Sequence, residues 1–435
     1  MQKKKEISNW GNFPTSISSE QWILNSKDPG ITFNQTEKII PRGNGRCYGD
    51  ASLGENIVST RYLTNFLELD EDTLEMECES GVLFSDLLDL LIPKGLFLPV
   101  TPGTKFITVG GAVAADVHGK NHHKDGCFSS YVISFQLLTS DHKIINCSKE
   151  ENSELFWQTI GGMGLTGIIL RVRFRLLQIE TSYISQESIK AKNLDEIFDL
   201  FEDSKDWKYT VAWIDCLQKK KNLGRSVLLR GEHASIDDLD QNKRKRPLLV
   251  ENKKSFSIPF FFPAFTLNWW TVKIFNLLYF YKQRSKKKSA VVSYNTFFYP
   301  LDSIEGWNKI YGKKGFIQYQ FVVPLETSKE VLREILELIA VSRQASFLAV
   351  LKLFGENSPE AINSFPMKGY TLALDFKVTQ KTLELVPKMD AIILKHKGRI
   401  YRAKDCVSDP RLTNYLQLPE SNFESLQSIR INSKI

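Results

Sequence analysis

The stretch GGAVAADVHGKNHHKDG, residues 110–126, holds four glycines in seventeen positions, and its small residues give way to Asp116, three histidines and two lysines. So little side chain leaves a backbone that another molecule can lie against, because glycine permits positive φ and brings no Cβ. A second stretch of this kind, PRGNGRCYGD at 41–50, leaves the apolar strand TEKII. Each reads as a turn after a strand, able to point several backbone N–H groups at one concavity. Facing one another, two such nests suit a diphosphate; taken singly, each is equally an ordinary tight turn of a sheet. A third glycine group, GGMGLTG at 161–167, has the G-x-G-x-x-G spacing of a dinucleotide-binding turn, which must open a helix. Here Ile168, Leu170, Val172 and Phe174 alternate instead with Ile169, Arg171, Arg173 and Arg175, the period of a half-buried strand. A Rossmann domain is therefore not expected.

Around these turns the first 180 residues alternate strands with short helices. TLEMECESG alternates at period two, LFSDLLDLLIPKG puts Leu83, Leu87, Leu88 and Leu91 on one helical face ahead of Pro93 and Gly95, and YVISFQLLTSDHKIINCS turns as a hairpin at Ser140 and Asp141. From 181 to 398 the elements lengthen. GFIQYQFVVP, SKEVLREILELIAVSRQ, FLAVLKLFG and YTLALDFKV give a strand, helix, strand, strand order, which predicts a largely antiparallel sheet with helices on one face. GRIYRAKD begins a further strand, expected to return to the first domain. The expected class is thus α+β in two domains, 1–180 completed by 399–435, and 181–398. A chain of 435 residues, 42% hydrophobic, is long enough for two cores. Its net charge of +7 is modest and mostly spread out, so no nucleic-acid partner is expected. Six cysteines without CxxC pairs read as reduced thiols of a cytoplasmic protein, and no apolar run follows MQKKKEISNWGNF, so no secretory leader is expected.

His118 and His122 stand four apart with His123 beside them, a spacing that on a helix would suit zinc. Gly111, Gly119 and Asn121 argue for loop, so no metal is expected and the histidines read as polar contacts to cofactor or substrate. Residues 255–281, SFSIPFFFPAFTLNWWTVKIFNLLYFY, hold eleven aromatic residues and one charge, Lys273. Lys243, Arg244, Lys245, Arg246, Lys253 and Lys254 precede them; Lys282, Arg284, Lys286, Lys287 and Lys288 follow. The segment has the length of a bilayer span, but Pro259 and Pro263 interrupt it. A buried insertion would not need so many cations. The expectation is an insertion at about 243–288 that rests in a membrane interface, aromatics at headgroup depth and lysines on anionic lipid. Thr266, Asn268, Thr271 and Asn276 share no helical side, so no amphipathic helix is claimed.

In this order, RGNGRCYGD, GTKFITVGGAVAADVHGKNHH, LFWQTIGGMGLTGIILRVRFRL, GFIQYQFVVP, VLKLFG and YRAKDC closely resemble the decaprenylphosphoryl-β-D-ribose 2-oxidase family, flavoenzymes of the vanillyl-alcohol-oxidase superfamily, from about Trp10 to Asp405. The resemblance implies an FAD-binding α+β domain and an antiparallel-sheet substrate domain. By it, Arg42, Gly43, Asn44, Gly45, Arg46, Cys47, Tyr48, Gly49 and Asp50 form a first FAD loop, and Gly103, Thr108, Val109, Gly110 and Gly111 a second. Ala115, Asp116, Val117 and His118 continue along the ring system, with Ile168 toward adenine and Tyr401 toward the flavin. Many superfamily members carry a histidine in the first loop bonded to the flavin; near Arg46 there is none, so FAD is expected to be non-covalent.

The same resemblance makes Lys404 the catalytic cation that stabilises reduced-flavin charge and hydrogen-bonds substrate, and His118 the residue that orients the flavin or relays the hydroxyl proton. Tyr48, Lys120, Gln318, Gln320 and Lys352 would face substrate, Lys120 as a point charge on phosphate. Ala373 stands where mycobacterial members carry cysteine, which removes any thiol-dependent behaviour there and leaves the redox chemistry intact. The implied activity is oxidation of the 2-hydroxyl of a polyprenyl-phosphoryl pentose to the 2-keto sugar. It is the first half of an epimerisation to the arabinose form for cell-envelope polysaccharide, completed by a short-chain dehydrogenase/reductase partner. The implied setting is cytoplasmic and peripherally membrane-associated. A soluble alditol or aldonolactone oxidase, and a non-catalytic flavoprotein scaffold, are the other readings the residues leave open.

Overall fold

The computed structural model describes residues 4–31, 33–34, 36–251, 256–263, 265–413 and 421–433. Lys253, Lys254 and Ser255 of the aromatic insertion and its cationic flank lie outside the described residues. The amino-terminal half builds two larger sheets beside the short pair of Leu96–Phe97 with Leu177–Gln178. One has four strands, in the order Lys5–Ser8, Thr15–Trp22, Asn56–Ser59, Ile39–Arg42, its last two pairings parallel. The other is antiparallel with five strands, in the order Phe66–Asp70, Glu75–Glu79, Ile168–Arg175, Val132–Leu138, Ile144–Ser148. The strand after GGMGLTG follows the period read from its sequence. Ile168, Leu170, Val172 and Phe174 are buried, while Arg173 faces out to an ion-pair group of Glu68, Glu75 and Glu77. Helix Phe84–Leu91 buries Phe84, Leu87, Leu88 and Leu91 in the same core, and Gly95 ends the following turn in the left-handed region at φ 72°.

The carboxy-terminal half forms one eight-stranded antiparallel sheet. Its order is Lys287–Ser293, Tyr183–Ala191, Ser226–His233, Tyr209–Ile214, Ala349–Phe354, Gly369–Lys377, Phe316–Pro324, Arg399–Ile400. Helices Leu194–Glu202, Ser328–Ser342 and Gln380–Lys395 cover one face. Alternation then decides what lies on the other. Ile317, Tyr319, Phe321 and Val323 join Tyr370, Leu372, Leu374, Phe376 and Leu351 under the helices. Gln318, Gln320, Thr371, Ala373, Asp375 and Lys352 therefore point to the opposite face, in register as Gln318 with Asp375, Gln320 with Ala373, and Lys352 with Thr371.

Four local expectations change. GGAVA is a short helix, Val109–Ala114, whose N-cap Thr108 accepts from the Gly111 amide at 3.1 Å, where a turn after a strand was expected. The local code lies in Thr108 rather than in the glycines. His122–Asp125 is one helical turn, although His118 remains outside it. Arg399–Ile400 is the edge strand of the large sheet, paired with Phe321 and Val322, and the chain regains the first half directly after it, where Tyr401 donates to Ala115 O and Ala403 O accepts from the Tyr48 amide at 3.0 Å. The insertion contains a helix, Trp269–Lys282, in which Asn268 and Thr271 form a capping box. Its one buried stripe is Val272, Asn276 and Phe280, pinned where Asn276 Nδ2 donates to Asp215 Oδ1 at 2.7 Å.

Candidate active site

The first glycine loop leaves strand Ile39–Arg42 and lies directly on the second, since a Cβ at Gly43 would overlap Thr108 Oγ1. Asn44 Nδ2 donates to Phe106 O at 2.7 Å, and the Arg46 guanidinium stacks 4.0 Å from the Trp10 ring and 5.2 Å from that of Phe106. Among the described residues the amides of Asn44, Gly45, Arg46 and Cys47 find no acceptor, with Gly45 in the left-handed region at φ 59°. A run of free N–H groups turned by one positive φ is an anion nest.

The second loop contributes differently. The Val109 amide donates to Val82 O at 2.9 Å and that of Gly110 to Ser80 O at 2.8 Å, so these donors are already used. What Gly110 provides is room: a Cβ there would stand 2.8 Å from Ser80 Cβ. Gly103 has open space around it.

Several named side chains brace the loops from behind. Arg42 donates to Ser8 O at 2.8 Å and to Asn9 Oδ1. Asp50 is held by Arg430 at 2.9 Å, and a Cβ on Gly49 would overlap Asp405 O. Cys47 Sγ sits 3.1 Å from Ser52 Oγ, its thiol pushed up by burial. Asp116 accepts from the Ser129 amide at 3.1 Å and from Ser364 Oγ, burial pushing its carboxyl up. Val117 bonds Ala112 O at 3.0 Å through its amide and accepts from the Phe128 amide, and Ile168 is fully buried beside Leu138 and Leu170. Tyr401 donates to Ala115 O at 2.9 Å and stacks on Phe365.

Against these loops stands the uncovered face of the large sheet. Gln320 Nε2 lies 3.1 Å from His118 Nε2 and 3.1 Å from Thr371 Oγ1. His118 packs edge-on to Phe354 at 4.8 Å and beside Tyr401 at 5.0 Å. Its Nδ1, with Oε1 of Gln318 and of Gln320, is buried and without a partner among the described residues. Burial, then the charges of Lys352 and Lys404, hold this imidazole well below its ordinary pKa, so it is neutral.

Three half-buried lysines complete the site. Burial lowers Lys404 to about 8, partly offset by Asp375, and its Nζ stands 5.3 Å from the Tyr48 ring centroid. Lys120, donating to Phe298 O at 3.0 Å, falls to about 8 through burial. Lys352 is driven well below the ordinary range by burial and by the charges of Lys404 and Lys120. Asp375, the carboxylate facing Lys404, is itself pushed up to about 7 by burial; Gln318 Nε2 and Tyr311 Oη, at 3.3 Å, donate to it. Burial pushes the Tyr48 hydroxyl up. Three lysines beside two carboxylates, Asp375 and Asp302, that burial pushes toward the neutral form leave the cluster suited to an anionic ligand.

Sequence reasoning missed Asp375 and Thr371, whereas His122 was among the histidines expected to contact cofactor or substrate. Asp375 was legible as the one charge inside YTLALDF, at the same parity as Ala373. His122 is buried against Phe354 at 4.5 Å with neither ring nitrogen partnered among the described residues.

Comparison with known proteins gives this geometry its setting. Residues 33–148, which hold both loops, match the family described as FAD binding domain. Decaprenylphosphoryl-β-D-ribose oxidase of Mycolicibacterium smegmatis is 34% identical over 414 residues, covering 92% of this chain and 89% of the relative. The chain belongs to the decaprenylphosphoryl-β-D-ribose oxidase family. An uncharacterized protein of Streptomyces coelicolor is 28% identical over 79% of this chain and 94% of its own length. L-Gulonolactone oxidase of Mus musculus is more distant, 25% identical over 42% of this chain and 41% of its own. The protein is an FAD-dependent oxidoreductase with the two-part α+β architecture of that family.

The residues present fit FAD. The free amides of 44–47 suit a pyrophosphate, the contact of Gly43 with Thr108 holds the two loops together, and the open space over Gly103 leaves room for the nucleotide.

Proposed function

We propose that this chain oxidises the 2-hydroxyl of a polyprenyl-phosphoryl pentose, of the decaprenylphosphoryl-ribose kind, to the 2-keto sugar. The observation that carries the reading is the set of Lys120, Lys352 and Lys404 converging on one site beside two carboxylates, Asp375 and Asp302, both pushed up by burial. Bound FAD supplies the two-electron oxidation of the C–OH carbon. The chain's own residues do the rest. Lys120 and Lys352 bind the phosphate. Tyr48, Gln318 and Gln320 orient sugar hydroxyls, the two glutamines through their unpartnered carbonyl oxygens. Lys404 stabilises negative charge as it develops. His118, neutral and with Nδ1 free, accepts the hydroxyl proton.

The 2-keto product calls for a reductase, and a short-chain dehydrogenase/reductase partner would complete net epimerisation to the arabinose form for cell-envelope polysaccharide. Peripheral association with the cytoplasmic face of a membrane follows from the same reading. Phe265, Trp270 and Leu278 are 76%, 67% and 66% exposed, and the sequence continues into Lys282 and Lys288, a surface suited to the interface of an anionic bilayer, while Lys286 and Lys287 pair with Glu196 and Glu187. No helix among the described residues is long and apolar enough to cross a membrane. Turnover of a prenyl-phosphoryl ribose followed by borodeuteride reduction tests the chemistry. Deuterium at C2 alone is expected; deuterium at another carbon, or none, refutes the assignment.

A further inference from the structure

Away from the lysine cluster, on the helix-covered side of the large sheet, three metal-ligating side chains converge. Helices Ser328–Ser342 and Gln380–Lys395 follow the neighbouring antiparallel strands Phe316–Pro324 and Gly369–Lys377, so the start of the first helix meets the end of the second. Glu330 and Glu334 stand four apart on one side of the first helix, and His396 caps the second. One carboxylate oxygen from each glutamate and one imidazole nitrogen lie within 4.8 Å of one another. Glu330 is exposed, and Glu334 and His396 are half-buried. Among the described residues no hydrogen bond or ion pair joins the imidazole to either carboxylate, and His396 Nε2 is closed off from water without a partner. Lys395 Nζ stands 3.8 Å from Glu334, a solvent-facing pair that loses little when the lysine swings into water. Two like charges four apart on a helix repel each other, and a cation shared between them removes that cost.

We propose that Glu330, Glu334 and His396 bind a divalent transition ion of the zinc class. Two carboxylate oxygens and one imidazole nitrogen leave a fourth tetrahedral position to water, and bonds of about 2.0–2.2 Å are reached by rotation of the exposed Glu330 side chain. The imidazole selects against magnesium and calcium, which take oxygen ligands. The ion acts as a clip that pins the end of helix Gln380–Lys395 to the start of helix Ser328–Ser342. From there the chain runs through strand Arg399–Ile400 to Tyr401 and Lys404, so the clip braces the root of the segment that carries them.

Equilibrium dialysis of the untagged, FAD-loaded chain against zinc chloride, with bound metal read by atomic absorption, tests this. A single ion should bind, and about a hundredfold excess of magnesium should leave it in place. His396→Ala and Glu330→Gln should each weaken binding at least about tenfold, the lower end of what loss of a mere supporting partner costs. The urea midpoint should rise with zinc in the wild type and stay put in His396→Ala. Cobalt should give a visible absorption band in the wild type that His396→Ala lacks. Both side chains lie outside the lysine cluster, so the flavin spectrum should be unchanged in either variant. A chain that retains no zinc, or zinc held as tightly by either variant as by the wild type, overturns the proposal.

Discussion

Arg430→Ala should loosen the FAD loop from a distance. Arg430 stands on helix Leu426–Asn432 and grips two carboxylates at once, Asp50 at 2.9 Å and Asp405 at 2.7 Å, whose side chains are 3% and 1% exposed. Truncation leaves both buried and unpaired, a loss of about 3–5 kcal/mol for a buried pair. Asp405 keeps hydrogen bonds from the Val407 and Ser408 amides, at 3.1 and 2.9 Å, which hold the total inside that range. Asp50 closes the first loop, and Tyr48 hangs on Ala403 O, so FAD affinity should fall together with stability. Burial pushes Asp405 up, but the Arg430 charge and its hydrogen bonds outweigh this and leave the carboxyl below the usual range. A depressed carboxylate contributes stability above its unfolded pKa of about 4 and loses that contribution as pH falls through its folded value. Without Arg430, burial pushes both carboxyls up, so the gap between wild type and variant should be largest at alkaline pH, shrink as the variant's buried carboxyls take up protons with falling pH, and close where Asp405 also protonates in the wild type. Urea denaturation of the apoprotein reads it directly, and Arg430→Lys, lacking the two-pronged fork, should recover only part. A variant within 1 kcal/mol of wild type at pH 7 would refute this account of the carboxy-terminal clamp.

Lys404→Ala should retain bound flavin by absorbance yet lose at least about a hundredfold in kcat, as removal of an electrostatic stabiliser does; loss of flavin instead would make the lysine structural. KM for a phosphoryl substrate should rise above pH 8, because Lys404 and Lys120, both near 8, lose their positive charge there. A flat KM from pH 6.5 to 9.5 is the contrary result. Gly110→Ala should weaken FAD binding and cost about 1–3 kcal/mol of stability, since the new Cβ meets Ser80 at 2.8 Å; equilibrium dialysis of FAD and urea denaturation measure the two. Replacing Trp270, Ile274 and Leu278 by serine should reduce co-sedimentation with anionic vesicles at least tenfold and leave the flavin spectrum intact; unchanged sedimentation counts against the interfacial surface.

Period was the most legible part of the sequence. Alternation after GGMGLTG removed the Rossmann alternative, and it also placed Gln318, Gln320 and Lys352 at one parity each, although only the strand order 349–354, 369–377, 316–324 puts them on a common face. Pairings between distant residues were not legible. Asp50 and Arg430 are 380 positions apart, and nothing local to PRGNGRCYGD shows that its aspartate anchors a helix rather than a cofactor. In GGAVA the glycines concealed a helix because the cap residue and tertiary burial outweigh glycine's low propensity. Around residue 270 the polar residues looked scattered because Asn268 and Thr271 serve as caps while Asn276 serves as a buried anchor.

The central claim is that prenyl-phosphoryl pentose, held by the three lysines, gives up hydride to flavin on this chain. Anaerobic stopped-flow mixing of the FAD-loaded protein with geranyl-phosphoryl ribose, followed at the flavin absorbance band, tests it most directly. Stoichiometric bleaching, lost in Lys404→Ala and undetectable with free ribose, is the predicted result. A flavin that stays oxidised with the lipid-linked sugar but bleaches with a free alditol or aldonolactone would contradict it.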